Sequence, residues 1–272
     1  MSVGAHRVAV SDEQSTSEAV AYEPISVEGS TAVVVGGTSG IGRAISLAFA
    51  TEGANVVPTS RSEERVADTA EAVRERGSEA LAVTCDVTDR EALDALADAA
   101  VERFGGVDVL VNSPGAIARA AVPDVTDDEW DRVLDVQLTG VHRTVQTFVT
   151  RTDVESVVNV ASLSSLLGIE DLAAYSAAKG GIDGYTHAAA KDLGPDVRVN
   201  AVRPGFVATP QTADAYAEGS HRYERIVARA PIGRIGRPAD IAGAVVYLSS
   251  PAAAYVTGET ITVDGGFTPS AF

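Results

Sequence analysis

From Thr31 onward, short unbroken apolar runs alternate with longer segments of helical period. Runs at 32–35, 54–59, 80–84, 107–111, 154–160, 197–202 and 260–263 predict strands. Helices are predicted over 43–52, 62–76, 89–104, 126–150, 173–193 and 237–249. Thr126-Asp127-Asp128-Glu129 reads as a capping box that opens one long helix. Pro238 sits in the first turn of the last helix, where its missing N–H costs nothing. Strands without polar alternation are buried on both faces, which means a parallel sheet covered by helices on each side. Right-handed crossovers then lead to a doubly wound α/β fold. No repeat or internal linker appears, so residues 29–272 are read as one domain. Residues 1–28 are polar and acidic with no sustained period, and are expected to form a tail outside the fold.

Composition narrows the class. The 272 residues are 45% hydrophobic but only 5% aromatic, so the core must be built from Val, Ala, Leu and Ile. No apolar run reaches the ~20 residues of a membrane span. The N-terminus lacks the basic-then-apolar layout of a signal peptide, so a cytoplasmic location is expected. A lone cysteine, Cys85, excludes an internal disulfide and fits a reducing compartment. His6, His142, His187 and His221 have no metal-ligand spacing, so no metal is expected. The formal charge of −17 argues against nucleic acid or an anionic membrane as partner. Only two residues, Lys179 and Lys191, are lysines, and acid is spread along the whole chain. That pattern reads as adaptation to high salt, where screening makes a large net charge tolerable.

One of those lysines lies in the chemically richest stretch, Tyr175-Ser176-Ala177-Ala178-Lys179. Tyr175 and Lys179 are one helical turn apart on one face. An ammonium so placed is expected to favour the phenolate and lower the phenol pKa from its usual ~10. That suits a proton donor or acceptor at an alcohol or carbonyl oxygen. The same spacing also occurs on inert helices. Ser162, thirteen residues earlier at the end of a predicted strand, adds a hydroxyl. Near the start, Gly36, Gly40 and Gly42 fill the first strand-to-helix turn. Glycines before a helix N-terminus let backbone N–H groups approach a pyrophosphate.

In this order, Gly36-x-x-x-Gly40-Ile41-Gly42, Ser162 and Tyr175-x-x-x-Lys179 resemble the short-chain dehydrogenase/reductase family. The resemblance runs from about residue 29 to 267 and extends to Cys85-Asp86-Val87, Arg198-Val199-Asn200, Pro204-Gly205 with Thr209, and Val263-Asp264-Gly265-Gly266. It implies a Rossmann-like sheet and an oxidoreductase that interconverts a carbonyl and a secondary alcohol by hydride transfer. By the resemblance, Tyr175 is the acid/base, Lys179 lowers its pKa and bonds the nicotinamide ribose, and Ser162 holds the substrate oxygen. Gly36, Thr38, Ser39, Gly40, Ile41 and Gly42 hold the pyrophosphate turn. Asp86 and Val87 bracket adenine, and Asn112 and Gly115 lie beside the adenosine ribose. Pro204, Gly205, Val207 and Thr209 line the nicotinamide. Asn200 reads as a structural bridge between strands.

Three positions depart from the family pattern. Val35 replaces a threonine, Pro114 interrupts Asn112-Ser113-Pro114-Gly115, and Gln137 stands where a catalytic asparagine supports a water relay. They leave an alternative open: a catalytically impaired dinucleotide-binding sensor or subunit. At the end of the second strand, Ser60 replaces the acid that would select NAD, and Arg61 offers a fork for a 2′-phosphate. NADP(H) is therefore the expected cofactor, with dual use of NAD(H) left open. The substrate pocket is expected after Gly115, at 163–168 and in a lid at 206–230 containing Tyr216, His221, Arg222 and Tyr223. The substrate, a small carbonyl or alcohol, is left between a 3-oxoacyl thioester and a sugar or polyol. The family likeness implies a homodimer or homotetramer built through the helices of Thr126 and Tyr175.

Overall fold

The computed structural model describes residues 23–270. Six parallel strands form one sheet: β1 (Thr31–Val35), β2 (Asn55–Thr59), β3 (Val109–Asn112), β4 (Ser156–Val160), β5 (Arg198–Pro204) and β6 (Thr260–Val263). Their spatial order is β2-β1-β3-β4-β5-β6. The order reverses between β1 and β3, and in such sheets that point opens a crevice beyond the carboxyl ends of the strands. Successive side chains point to opposite faces, and both faces are buried. Val33 and Val35 pack toward α3 (Arg90–Phe104), α5 (Gly140–Arg151) and α6 (Ala173–Leu193). Ala32 and Val34 pack toward α1 (Gly40–Thr51), α2 (Glu63–Arg74) and α8 (Pro238–Ser249). Phe148 anchors the first layer and Phe49 the second, each fully buried. Truncating either to alanine would cost about 3–5 kcal/mol.

The expected tail of 1–28 falls mostly outside the described residues. Within them, Val27 is buried against the α1 layer, and Gly29 N–H donates to Gly53 O at 3.1 Å. Two predicted elements differ from what forms. Residues 80–84 run beside β2 but make a single bridge, Val56 to Ala80, not a strand. The reason is Pro58, which has no N–H to donate toward that edge. Thr59 Oγ1 instead donates to Val83 O at 2.7 Å. The predicted helix over 126–150 is divided into α4 (Asp127–Leu134), a π-helical turn (Asp135–Thr139) and α5. Its capping box forms as expected, Thr126 and Glu129 bonding reciprocally. Widened turns of this kind tend to mark functional positions, and this one carries Gln137.

Past β5 comes the segment expected to form a lid, with a 3₁₀ turn at Asp214–Tyr216. Helix α7 (His221–Arg229) buries Ile226 in a small cluster with Leu163, Ile235 and Phe267. Phe206 meets Tyr216 and Phe267 edge-on, at ring separations of 5.8 and 4.8 Å. Asn200 bridges to the approach of β6, donating to Val256 O at 2.8 Å and accepting from Glu259 N–H at 3.0 Å. No helix among the described residues is long and apolar enough to cross a membrane.

Candidate active site

The carboxyl ends of the strands open into a cleft of about 330 Å³ that runs from the end of β2 to the lid. At one end lies the β1–α1 turn. Gly36 has φ +73°, and a Cβ there would stand 2.1 Å from Ser113 O. A Cβ on Gly42 would stand 2.1 Å from Gly36 O. Both positions therefore exclude any side chain, and the backbone itself is the wall of the cleft. Ser39 is the N-cap of α1, yet its side chain caps nothing, and no acid lies in the first turn. The N–H groups that open a helix have no partner within it and carry the positive end of its dipole. An anion fits this cradle without displacing anything. The turn survives Val35 and Pro114 because main-chain bonds carry it: Gly36 N–H to Thr59 O and Ser113 N–H to Val35 O, both 2.9 Å.

Beside the turn, Thr38 donates to Ser60 Oγ at 2.8 Å. Arg61 follows, exposed, 3.8 Å from Asp86. Val87 and Cys85 complete this wall. Burial, with Asp86 and Asp89 nearby, pushes the Cys85 thiol up to about 12, so it stays a thiol and is inert as a nucleophile.

Farther along, Ser162 caps a short 3₁₀ turn, its hydroxyl accepting from Ser164 N–H at 3.2 Å. Tyr175 lies in the first turn of α6, half-buried, and lines the cleft together with Ser162. Lys179 is 3% exposed and donates to Val160 O. Its Nζ is 5.7 Å from the Tyr175 ring centre. Burial drives the Lys179 pKa down to about 7, against the pull of Asp183. The Tyr175 phenol moves opposite to the expectation: burial raises it, and Tyr216 adds to this. Ser162 and Arg119 pull it down without cancelling burial. Lys179, its own proton loosened by burial, does not offset the desolvation of the phenol.

Arg203 braces this end. Its guanidinium donates to Asp183 at 2.7 Å, to Thr262 at 3.0 Å and to Ser165 at 3.0 Å, while Ser165 donates to Ser162 O at 2.8 Å. Asp183 falls one turn after Lys179, a spacing visible in the chain; nothing local marks Arg203. Gln137 is 2% exposed and donates to Ala116 O at 2.8 Å, while its Oε1 has no hydrogen-bond partner among the described residues.

The cleft thus gathers Gly36, Thr38 to Gly42, Ser60, Arg61, Asp86, Val87, Gly115, Gln137, Ser162, Tyr175, Lys179, Pro204, Gly205, Val207 and Thr209. Asn112 is the exception. It is 1% exposed, does not line the cleft, and donates to Asn159 Oδ1 at 3.0 Å. Of the lid residues, Tyr216 and Arg222 reach the cleft, whereas His221 and Tyr223 do not line it. Arg119, absent from the predicted set, lines it too.

Comparison with known proteins agrees with this geometry. A family model described as enoyl-(acyl carrier protein) reductase matches residues 35–268. A 3beta-hydroxysteroid dehydrogenase 1 of Eggerthella lenta is 39% identical over 250 residues, 89% of this chain and 95% of the relative. The chain belongs to the short-chain dehydrogenase/reductase family. A 3-oxoacyl-(acyl-carrier-protein) reductase of Thermotoga maritima is 34% identical over 88% of this chain and 98% of its own. Among solved structures, a candidate NAD(P)-dependent gluconate 5-dehydrogenase from Beutenbergia cavernae, with NADP bound at low occupancy, superposes with a TM-score of 0.85. It is 39% identical and covers 91% of this chain and 100% of its own. The enzyme is accordingly an oxidoreductase that interconverts a carbonyl and an alcohol with a nicotinamide dinucleotide. The side-chain-free Gly36–Gly42 cradle and the open end of α1 fit the pyrophosphate of that cofactor. Nothing in the geometry or the relatives favours the impaired sensor.

Proposed function

We propose that this enzyme is an NADP(H)-preferring carbonyl reductase in which Tyr175 is the proton donor. Gly36 and Thr38 to Gly42 hold the pyrophosphate, Asp86 and Val87 flank adenine, and Ser60 and Arg61 receive the 2′-phosphate. Pro204, Gly205, Val207 and Thr209 face the nicotinamide, which when bound supplies or accepts the hydride. The observation that carries the reading is the half-buried Tyr175 lining one cleft with Ser162, with Lys179 one turn behind it and its Nζ 5.7 Å from the ring centre. The Tyr175 phenol, ordinarily protonated at neutral pH, is raised further by desolvation. A neutral phenol can give its proton to a carbonyl oxygen as the hydride arrives. Ser162 donates a hydrogen bond to the same oxygen as charge develops on it. Lys179, fixed by Val160 O, bonds the nicotinamide ribose and refills the phenol with a proton. The Gln137 amide is anchored on Ala116 O, and its unpartnered Oε1 is the acceptor left to hold a relay water.

The acidic composition supports work in concentrated salt within the cytoplasm, and the small residues of α6 support a dimer or tetramer built through α4 and α6. The test of the catalytic reading is NADPH oxidation, followed by absorbance, with a panel of ketones at several salt concentrations. Turnover of any ketone by the wild type and its loss in Tyr175→Phe, with NADPH binding intact, is the expected result. A variant that keeps more than a tenth of the wild-type kcat overturns it.

A further inference from the structure

The chain carries a net charge of −17, yet the cleft is lined by Arg61, Arg65, Arg119, Lys179 and Arg222 against a single carboxylate, Asp86. These cations divide into two groups. Arg61 and Arg65 stand at the β2 end, where Asp86 already faces Arg61. Arg119 and Arg222 stand at the opposite end, around the two phenols. Among the described residues neither makes a salt bridge. Arg222 packs its guanidinium 5.5 Å from the Tyr216 ring centre. Arg119 and Arg222 both pull the Tyr216 phenol down, and Arg119 also acts on Tyr175.

Arg119 is not a stray surface charge, because its backbone is fixed on both sides. Ala120 N–H donates to Asp171 O at 3.1 Å and bridges to Leu172, the residue that starts the Tyr175 helix. Arg132 donates to Ile117 O at 2.9 Å, and Gln137 to Ala116 O at 2.8 Å. Asp171 holds φ +62°, an unfavourable conformation for a residue with a side chain, at the point where this contact is made. Three separate elements therefore present Arg119 to the reacting end. Arg222 reaches the same cleft from α7, a separate element from Arg119's loop. Ile117, Leu163, Ile169, Leu172 and Phe206 give the cleft between them an apolar lining.

We propose that the substrate is a small oxo acid whose carboxylate is held by Arg119 and Arg222 while its ketone meets Tyr175. This deepens the reading above and rests on Tyr175 being the proton donor. Planar guanidinium forks match a carboxylate in two bonds each, and with no acid beside them they lack any other anion to hold. The apolar lining takes the carbon skeleton between ketone and carboxylate. Both arginines line the Tyr175 end of the cleft, away from Ser60 and Arg61, so the anion assigned to them is that of the molecule carrying the ketone. An acidic carrier protein docked outside, delivering a neutral thioester, would not need them there.

The probes are 4-oxocyclohexanecarboxylate, its methyl ester and the neutral 3-oxobutanoyl thioester of N-acetylcysteamine. The oxo acid is expected to have a kcat/KM at least roughly tenfold above the ester and the thioester, the gain that charge-assisted hydrogen bonds bring. In Arg119→Met/Arg222→Met the KM for the acid should rise about tenfold to a hundredfold while that for the ester stays. NADPH affinity should not change. A loss of NADPH affinity would assign the arginines to the cofactor and overturn the proposal. A kcat/KM for ester or thioester equal to that for the acid would overturn it while leaving Tyr175 in its role. Binding is read separately by calorimetry, without turnover. Acid that binds no tighter than ester overturns the proposal even if no ketone is reduced, and preferential binding abolished in the double variant supports it. Failure of every probe to turn over instead counts against the proton-donor reading. Both arginines are exposed, so the variants should keep the wild-type melting temperature.

Discussion

The two ends of the cleft are built from different materials. At the β1–α1 turn the chemistry is in the backbone, and the sequence contributes by having no side chains: Gly36 and Gly42 admit nothing larger than hydrogen. At the Tyr175 end the chemistry is in side chains, and burial tunes them, raising the phenol and bringing Lys179 to about 7. A backbone cradle is all-or-none and insensitive to pH. A buried pair of titratable groups is tunable and depends on every neighbour that desolvates it.

Removing the phenol should produce the largest change. Tyr175→Phe removes the proton that general acid catalysis supplies, typically a factor of ~10²–10⁴ in kcat. Ser162→Ala should follow at roughly 10²–10³ if its hydroxyl meets the developing oxyanion. Both should leave NADPH binding, read by fluorescence, nearly unchanged. A weakened cofactor with intact kcat would reverse the assignment of the two ends.

The backbone end breaks differently. Gly36→Ala forces a Cβ against Ser113 O at a positive φ, and overpacking of that kind costs about 1–3 kcal/mol. The loss should show as weaker NADPH binding and a lower melting temperature, with the Tyr175 chemistry per bound cofactor preserved. Wild-type cofactor affinity would mean that the turn opens easily and is not a rigid cradle.

Lys179 sharpens the contrast through pH. Its pKa is about 7 in the folded enzyme and 10.5 as a free side chain. Between these values the unfolded chain binds more protons than the folded one, so this group makes stability rise with pH across that window. Below about 7 the full burial penalty applies. Lys179→Met should therefore melt above the wild type at pH 6, with the gap closing as pH approaches 10. A gap independent of pH would show that Lys179 is solvated and keeps an ordinary pKa.

What was legible in the chain follows the same division. Gly36, Gly40, Gly42, Ser162, Tyr175 and Lys179 lie in local patterns, and local patterns survive into the fold. The apolar runs mark β1 to β6 because a sheet buried on both faces needs no alternation. Residues 80–84 misled because their partner, not their own composition, decided the outcome: Pro58 lacks the donor. Asn112 misled because three residues separate it from Gly115, enough to go from the buried end of β3 to the cleft lining. Arg119 was invisible because Arg132, Gln137 and Asp171, which fix its loop, belong to other elements. The phenol's raised pKa reflects desolvation by the elements packed around it, which no four-residue spacing encodes.

Cofactor choice should show the smallest effect, because it rests on an exposed side chain. No carboxylate stands at Ser60 to repel a 2′-phosphate, and Thr38 already orients the Ser60 hydroxyl at 2.8 Å. Arg61 adds a guanidinium whose side chain is 70% exposed, 3.8 Å from Asp86. Its pairing with Asp86 is too long and too wet to compete strongly with a phosphate. The same exposure limits what Arg61 can contribute, since salt screens it over a Debye length of about 10 Å at 0.1 M and ~3 Å at 1 M. A preference for NADP(H) over NAD(H) of roughly tenfold in kcat/KM is expected at low salt, equivalent to ~1.4 kcal/mol. It should shrink in molar salt. Arg61→Ala should erase most of it while leaving use of NAD(H) unchanged, because NAD has no 2′-phosphate to lose. Asp86→Asn should do the reverse, freeing Arg61 and widening the preference slightly. Equal kcat/KM for both cofactors in the wild type, or an unchanged ratio in Arg61→Ala, would leave the backbone cradle as the whole of the cofactor site. The side chains of β2 would then have no part in choosing between the two dinucleotides.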